Sequence, residues 1–254
     1  MPGAEPPRRP SFRRLSSDRR REEIITAAVT LFGERPAAEV SIDDVAAAAG
    51  TSRSSVYRYF DGEGELYEAA VQRVGAELVA RLDGVAEWPP SVGLVERLRL
   101  YLDFLEEYSG GYVQFLGGGA ARAPDAALAA AQHVRDRIAG MTYRVLEVEE
   151  PGPVLRTTVQ AWIAGVEWTG IRWLRTGEPD RPTLEALLST QLAVMLAGAG
   201  THDPAVAERV AWLMEVEPPD SGFGAMVRMV AGAFDRRSLP GLAKFLAFEE
   251  GAPA

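Results

Sequence analysis

The 254-residue chain contains no cysteine, a single lysine, Lys244, and only two histidines, His133 and His202. Without cysteine there is no disulfide, no thiolate metal site and no thiol nucleophile, and two isolated histidines do not make a histidine-rich metal site. Each histidine reads as structural or solvated. There is no HExxH pair and no Walker loop, and the run Gly117 to Gly119 follows no strand and has no lysine beside it, so it is not a phosphate cradle. These absences leave no catalytic centre and no cofactor, and the chain reads as a non-enzyme. No window of about 18 apolar residues appears, and the N-terminus lacks the apolar stretch of a signal peptide. A cytoplasmic protein with no membrane partner is expected. No run of alternating β-branched residues is long enough for a convincing strand, whereas the long segments carry apolar residues at helical spacing, so the expected fold class is all-α.

Arginine stands in place of lysine, and it is unevenly distributed. The formal net charge of −9 speaks against nucleic acid at first sight, because phosphate neutralisation by cations supplies much of DNA affinity. Residues 1–60 nonetheless hold ten arginines against eight acids, and residues 1–21 hold seven against two, so the acidity belongs to the rest of the chain. Residues 1–17, with Pro2, Pro6, Pro7 and Pro10 among glycine, serine and arginine, cannot build a core and read as a disordered arm. Such an arm enters a minor groove or follows phosphates, or else remains a solvated tail.

Ser41 to Phe60, SIDDVAAAAGTSRSSVYRYF, carries the most information. Ser41 caps a first short helix, with Asp44 three residues on as its capping-box partner, and Val45 begins the packing surface. Gly50 ends that helix in a left-handed turn that only glycine adopts cheaply, and Ser52 caps a second helix. Val56 and Phe60 anchor the second helix; Arg53, Ser54, Ser55, Tyr57, Arg58 and Tyr59 are left outward, the layout of a helix-turn-helix. Upstream, Ile24, Ala27, Ala28, Leu31 and Phe32 at helical spacing supply a third helix for the core. Downstream, Leu66, Ala70, Val74 and Leu78 share one face of a long helix that runs from Glu63 to about Glu87 and stops at Trp88, Pro89 and Pro90.

From about Arg20 to Leu66, through AAVTLFGE, SIDDVAAAAGTS, VYRYF and Leu66, the chain resembles the TetR family of one-component transcriptional regulators. The resemblance implies that Thr51 and Ser52 open the recognition helix, that Arg53, Ser54 and Ser55 face base edges, and that Tyr57 and Tyr59 lie near phosphates. With Ser41 and Arg58 these form the candidate DNA-facing set. One position departs from the pattern: where the family usually has a lysine facing the DNA backbone, three residues after Phe60, this chain has Glu63. The implied organisation is an arm over 1–17, a DNA-binding domain over 18–62, a ligand-binding and dimerisation domain over 63–200 and a helical extension over 201–254.

Beyond the breaker, helices are expected over Ser91–Tyr108 and Asp125–Leu146, with a glycine-rich, irregular stretch between them. Their aromatics suggest a mostly apolar pocket. Tyr101, Phe104, Tyr108, Tyr112, Phe115, Met141 and Trp162 are its wall candidates, and His133 and Arg137 its polar contacts; plain core is the alternative for each. That a pocket exists rests mainly on the resemblance. Helices are also expected over Val154–Arg175, rich in small residues and tryptophan, and over Thr183–Ala197. The resemblance makes this pair a two-fold dimer interface, with Val154, Thr158, Ala161, Gly165, Trp168, Leu188, Leu192 and Met195 as its residues. Glu167 and Arg172 pair across it, serve the pocket or are solvated. Asp203 and Pro204 start a further helix to about Met214, and helical segments follow over Ala225–Phe234 and Leu242–Phe248.

The expected function is a ligand-responsive, homodimeric repressor that a small-molecule effector releases from a palindromic operator in double-stranded DNA. The alternative is a DNA-binding regulator whose larger domain serves only dimerisation or protein contacts.

Overall fold

A computed structural model describes residues 11–35, 39–86, 88–108, 125–221 and 223–224. Tyr112, Phe115, the first ten residues of the arm and the two helical segments expected after residue 224 lie outside the described residues. Among the described residues there are nine helices and no strand: α1 (Ser11–Glu34), α2 (Ile42–Ala48), α3 (Arg53–Val56), α4 (Glu63–Asp83), α5 (Pro90–Glu107), α6 (Asp125–Val145), α7 (Pro153–Thr176), α8 (Arg181–Gly200) and α9 (Pro204–Val216). The fold is all-α. Two boundaries move: α1 starts at Ser11, so residues 11–17 form its first two turns rather than part of an arm, and α4 ends at Asp83, with Gly84 as its C-cap, short of the expected stop at Trp88, Pro89 and Pro90. Nothing between Pro10 and Gly33 breaks a helix, and arginine is a good helix former.

The chain divides into two compact units. The first takes Met1–Gly84, Leu100–Gly140 and Ile163–Gly177. Its N-terminal core is built from Ile24, Ala28 and Phe32 of α1, Val45 of α2, Val56 of α3, Phe60, and Leu66, Ala70 and Val74 of α4, all buried. The expected face of α4 is thus the buried one, and it continues through Leu78 and Leu82. Phe32 meets Tyr67 edge-on at 5.0 Å, and Arg73 of α4 pairs with Glu22 of α1, so the first half of α4 belongs to the helix-turn-helix core. Further along, Gly75 lets Val134 of α6 sit where a Cβ would be, and Gly170 of α7 does the same for Leu105 of α5.

The second unit takes Val85–Arg99, Met141–Trp162 and Glu178–Ala254. Asp180 caps α8 through the Thr183 N–H, and Asp203 caps α9 through the Ala205 N–H, each followed by a proline in the first turn. Buried Leu184, Leu188, Leu192 and Leu196 line one side of α8, and Gly200 brings it close to Ala207 of α9. The buried Glu217 carboxylate, just past α9, accepts the Ser91 N–H at 2.5 Å and the Ser91 hydroxyl at 2.8 Å, satisfying donors at the start of α5. Residues 204–217 are therefore built into this unit. Against the expectation of no such window, α8 reaches a mean hydropathy of 1.2 and is long and apolar enough, by length and composition, to cross a membrane. Ser189, Thr190 and Gln191 interrupt its apolar run without lowering the mean far, while Leu184, Leu188, Leu192 and Leu196 are committed to the core.

Candidate nucleic-acid interface and the helix behind it

The turn forms as its residues dictate. Ser41 Oγ accepts the Asp44 N–H at 3.2 Å and the Asp44 carboxylate accepts the Ser41 N–H at 2.9 Å, a complete capping box. Those bonds hold the Asp44 carboxyl below the ordinary aspartate range, the Ser41 backbone N–H contributing most. At the other end of α2, Gly50 has φ +60°, its N–H bonds Ala47 O and the Thr51 N–H bonds Ala46 O, the two closures of a Schellman turn. Ser52 Oγ then accepts the Ser55 N–H at 3.2 Å and starts α3. The regular part of α3 is only Arg53–Val56; bonds from Tyr57 to Arg53, from Tyr59 to Val56 and from Phe60 to Val56 carry the turn on to Phe60.

Val56 and Phe60 are buried, while Ser52, Arg53, Ser54, Tyr57 and Arg58 are exposed and Thr51, Ser55 and Tyr59 half-buried. Arg21 of α1 stacks over the Phe60 ring at 5.0 Å, which brings a cation from α1 beside the reading helix. Ser41 and Ser52 use their hydroxyls as caps. Glu63, exposed, opens α4 behind a Gly62 that offers no side-chain cap.

The second half of α4 carries a polar network against α5. Arg81 donates to Glu77 and to Glu107, each at 2.6 Å, and Tyr108 donates to the other Glu77 oxygen at 2.7 Å. The Arg81 guanidinium lies over Phe104 at 5.3 Å and Tyr108 at 5.9 Å, and those rings stack at 4.5 Å. Burial, then the bond to Glu77, pushes the Tyr108 phenol up to about 12. Arg81 in turn holds the Glu107 carboxyl below its usual range. A helix whose first half is packed into the helix-turn-helix core is thus gripped in its second half by α5.

The pocket candidates separate. Tyr101 and Phe104 are buried and Tyr108 is half-buried in the first unit; Met141 and Trp162 are buried in the second, where Trp162 Nε1 donates to Leu188 O at 2.9 Å. His133 and Arg137 are corrected: both are exposed on α6. The inward polar residue lies between them, for Arg135 Nε donates to both carboxylate oxygens of Glu167 of α7, each at 3.0 Å. Helical phase decides this, since Arg135 falls near the line of Ala131 and Ala139, both buried, and the others do not. Burial raises the Glu167 carboxyl, and Arg135 opposes that rise.

The dimer candidates also divide. Ala161 and Trp168 are exposed, Trp168 to 65 %, with Arg172 over its ring at 5.9 Å. Val154, Thr158, Gly165 and Met195 are half-buried, and the Thr158 hydroxyl is turned back to Val154 O. Leu188 and Leu192 are corrected: they are buried within the chain and have no surface left for a partner. The exposed large apolar residues of α8 are Leu187 and Val194, which sequence reading missed because α8 is apolar almost all round and has no polar side to set the phase.

Residues 24–70 match the family model for bacterial regulatory proteins of the tetR family, and residues 90–196 match the tetracyclin repressor-like C-terminal domain. A crystal structure of a tetR-family transcriptional regulator from Streptomyces coelicolor is 33 % identical, covering 86 % of this chain and 99 % of that one at a TM-score of 0.77. An uncharacterized HTH-type transcriptional regulator of Mycobacterium tuberculosis is 38 % identical over 77 residues, 29 % of this chain and 36 % of that protein. The HTH-type transcriptional regulator EthR of the same species is 32 % identical over 111 residues, 43 % of this chain and 51 % of EthR. The chain thus spans about a third to a half of the length of these two curated relatives.

Proposed function

The chain belongs to the TetR family of transcriptional regulators, and from that premise we propose that it acts as a homodimeric repressor which a small-molecule effector releases from a palindromic operator. The outward residues of the turn supply the DNA contacts: Arg53, Ser54 and Ser55 to base edges, and Tyr57, Arg58 and Tyr59 to phosphates. One such unit touches too few base pairs to be selective. Two of them, with reading helices about 34–36 Å apart, read half-sites one DNA turn apart. Dimerisation uses α7 and α8, each of which exposes large apolar side chains of its own, Trp168 on α7 and Leu187 and Val194 on α8.

Effector response is supported by one observation, the grip of Glu77 and Arg81 on α5 in a helix whose other half is core to the DNA-reading unit. A molecule lodging beside Phe104 and Tyr108 acts on that grip directly and shifts α4. It changes operator occupancy only by its difference in affinity between the two arrangements of α4, so an inducer binds the DNA-free form more tightly. Selection from a random duplex library tests the first part, and an approximate palindrome with half-sites about 10 base pairs apart is expected. A thermal-shift screen followed by operator titration tests the second. A stabilising compound that releases the operator is expected; a compound that tightens operator binding would reverse the sign of the mechanism, and a protein that no compound in a broad screen stabilises would favour a larger domain without a ligand.

A further inference from the structure

Arg53 is held in an unusual way for a side chain meant to reach DNA. Its Nη1 donates to Asp43 Oδ2 on α2 at 2.6 Å, its Nη2 lies 3.4 Å from the Tyr57 hydroxyl, and its guanidinium stands over the Tyr57 ring at 5.5 Å. The pair crosses the turn and joins the first turn of α2 to the first residue of α3. Stability does not explain it. Arg53 and Asp43 are 58 % and 62 % exposed, and ion pairs so exposed add little. Nor is Asp43 needed as a cap, because Ser41 and Asp44 already close α2.

The arrangement does fix a long side chain. A free arginine samples many rotamers, and an arginine that reads guanine must present two neighbouring N–H groups in one plane to O6 and N7. Asp43 takes an N–H of Nη1 and the Tyr57 hydroxyl one of Nη2, while the Tyr57 ring lies under the face, so the plane is held by contacts that use two of the five guanidinium N–H groups. The Asp43 carboxylate also repels any phosphate that approaches Arg53, so the pair disfavours indiscriminate backbone contact while it favours one base geometry. We propose that Asp43 is a specificity-determining positioning residue: it orients Arg53 to read a guanine at one position of each half-site, giving up general DNA affinity for discrimination. This rests on the reading of Arg53 as a base contact.

The full-length protein tests it by fluorescence anisotropy at fixed salt, with the duplex selected by the wild type, variants of that duplex substituted at each half-site position, and a random-sequence duplex. Wild type should lose about 5- to 150-fold in affinity when the guanine pair is replaced, and Arg53→Ala should abolish that loss at the same position. Asp43→Asn should reduce it to within about threefold and tighten binding to the random duplex, with Tm lowered only slightly, since one carboxylate leaves the first turn of α2. An Asp43→Asn protein that keeps full discrimination at the position Arg53→Ala abolishes would overturn the proposal while leaving the base contact intact. Equal weakening at every position together with a markedly lowered Tm would overturn it too, since that is the mark of a structural residue. If Arg53→Ala alters no position, the base-reading role itself fails and the proposal goes with it.

Discussion

The turn around Gly50 and the helices α7 and α8 are specified in different ways. In the turn every local choice agrees: a capping box at Ser41, a glycine where φ is positive, a cap at Ser52 and two apolar anchors in Val56 and Phe60. Each signal acts over three to five residues, and each appears in the fold. Helix α8 has equally clear ends, capped by Asp180 and followed by Asp203 of the next helix. Between those ends, Leu184 to Leu196 is apolar on nearly every side, and the choice of the inward side is made by distant residues such as Trp162. Short-range chemistry fixes where a helix begins. Long-range packing fixes which way it faces.

The largest effect should come from two adjacent leucines on α8. Leu188 is fully buried and Leu187 is 45 % exposed. Leu188→Ala should cost about 2–5 kcal/mol of stability, read as a loss in thermal or urea unfolding. Leu187→Asp should leave the fold of the protomer intact and move the protein from dimer to monomer by light scattering at micromolar concentration. If the two variants behave alike, the division of α8 into a core side and a partner side is wrong.

Much of the fold was legible because helix ends leave local marks. Starts and stops of α2, α4, α5, α6, α7, α8 and α9 follow caps, prolines and glycines to within a few residues. The start of α1 was obscured because the composition of residues 1–17 suggests disorder, although nothing between Pro10 and Gly33 interrupts a helix. At the site, the caps and anchors were legible, and so was the exposure of Arg53 and Arg58. The partners of charged residues were not. Asp43 with Arg53, Arg135 with Glu167, and Arg81 with Glu107 are separated by 10, 32 and 26 residues, and only the fold brings them together.

The Arg135–Glu167 pair gives the next effect in size, and a pH signature. Removing a partner from a buried pair strands the other charge. Glu167 is the more buried, so Arg135→Met should cost about 1–3 kcal/mol at pH 7, less than for a fully buried pair because Arg135 is itself nearly a third exposed. Glu167→Gln should cost less, since Arg135 can turn to water. The Glu167 carboxyl is already raised by burial, and without Arg135 it rises further. A raised folded-state acid penalises the fold while it is ionised in both states and ceases to do so once both states are protonated. Unfolding measured from pH 7 down to about pH 4 should therefore show the gap between Arg135→Met and wild type narrowing; a constant or widening gap would show that the lost stability is packing, not charge.

A smaller loss is expected in the turn itself. Gly50 has open space where a Cβ would go, so Gly50→Ala tests backbone conformation alone. Its φ of +60° should cost alanine about 1–2 kcal/mol, seen as a lowered Tm with operator binding weakened in parallel.

The smallest effect is the most discriminating, because its two parts have opposite signs. Glu63 is exposed at the first position of α4, where no side chain caps the helix and where a carboxylate suits the positive end of the helix dipole. Glu63→Lys replaces that favourable charge with an unfavourable one and should lower stability by about 0.3–1 kcal/mol. If this end of α4 faces the DNA backbone, as the family pattern implies, the same change removes a charge that repels phosphate and supplies one that binds it. Operator affinity should then rise at low salt, and the plot of log affinity against log salt should steepen by about 0.9 for each phosphate gained. Base preference should not change, because a phosphate contact positions the protein without reading sequence. A variant that is less stable yet binds more tightly, with the same selected operator, would place Glu63 at the backbone. One that loses stability with an unchanged salt slope would put the start of α4 away from the DNA and leave phosphate binding to the arginines of α1 and to Arg58.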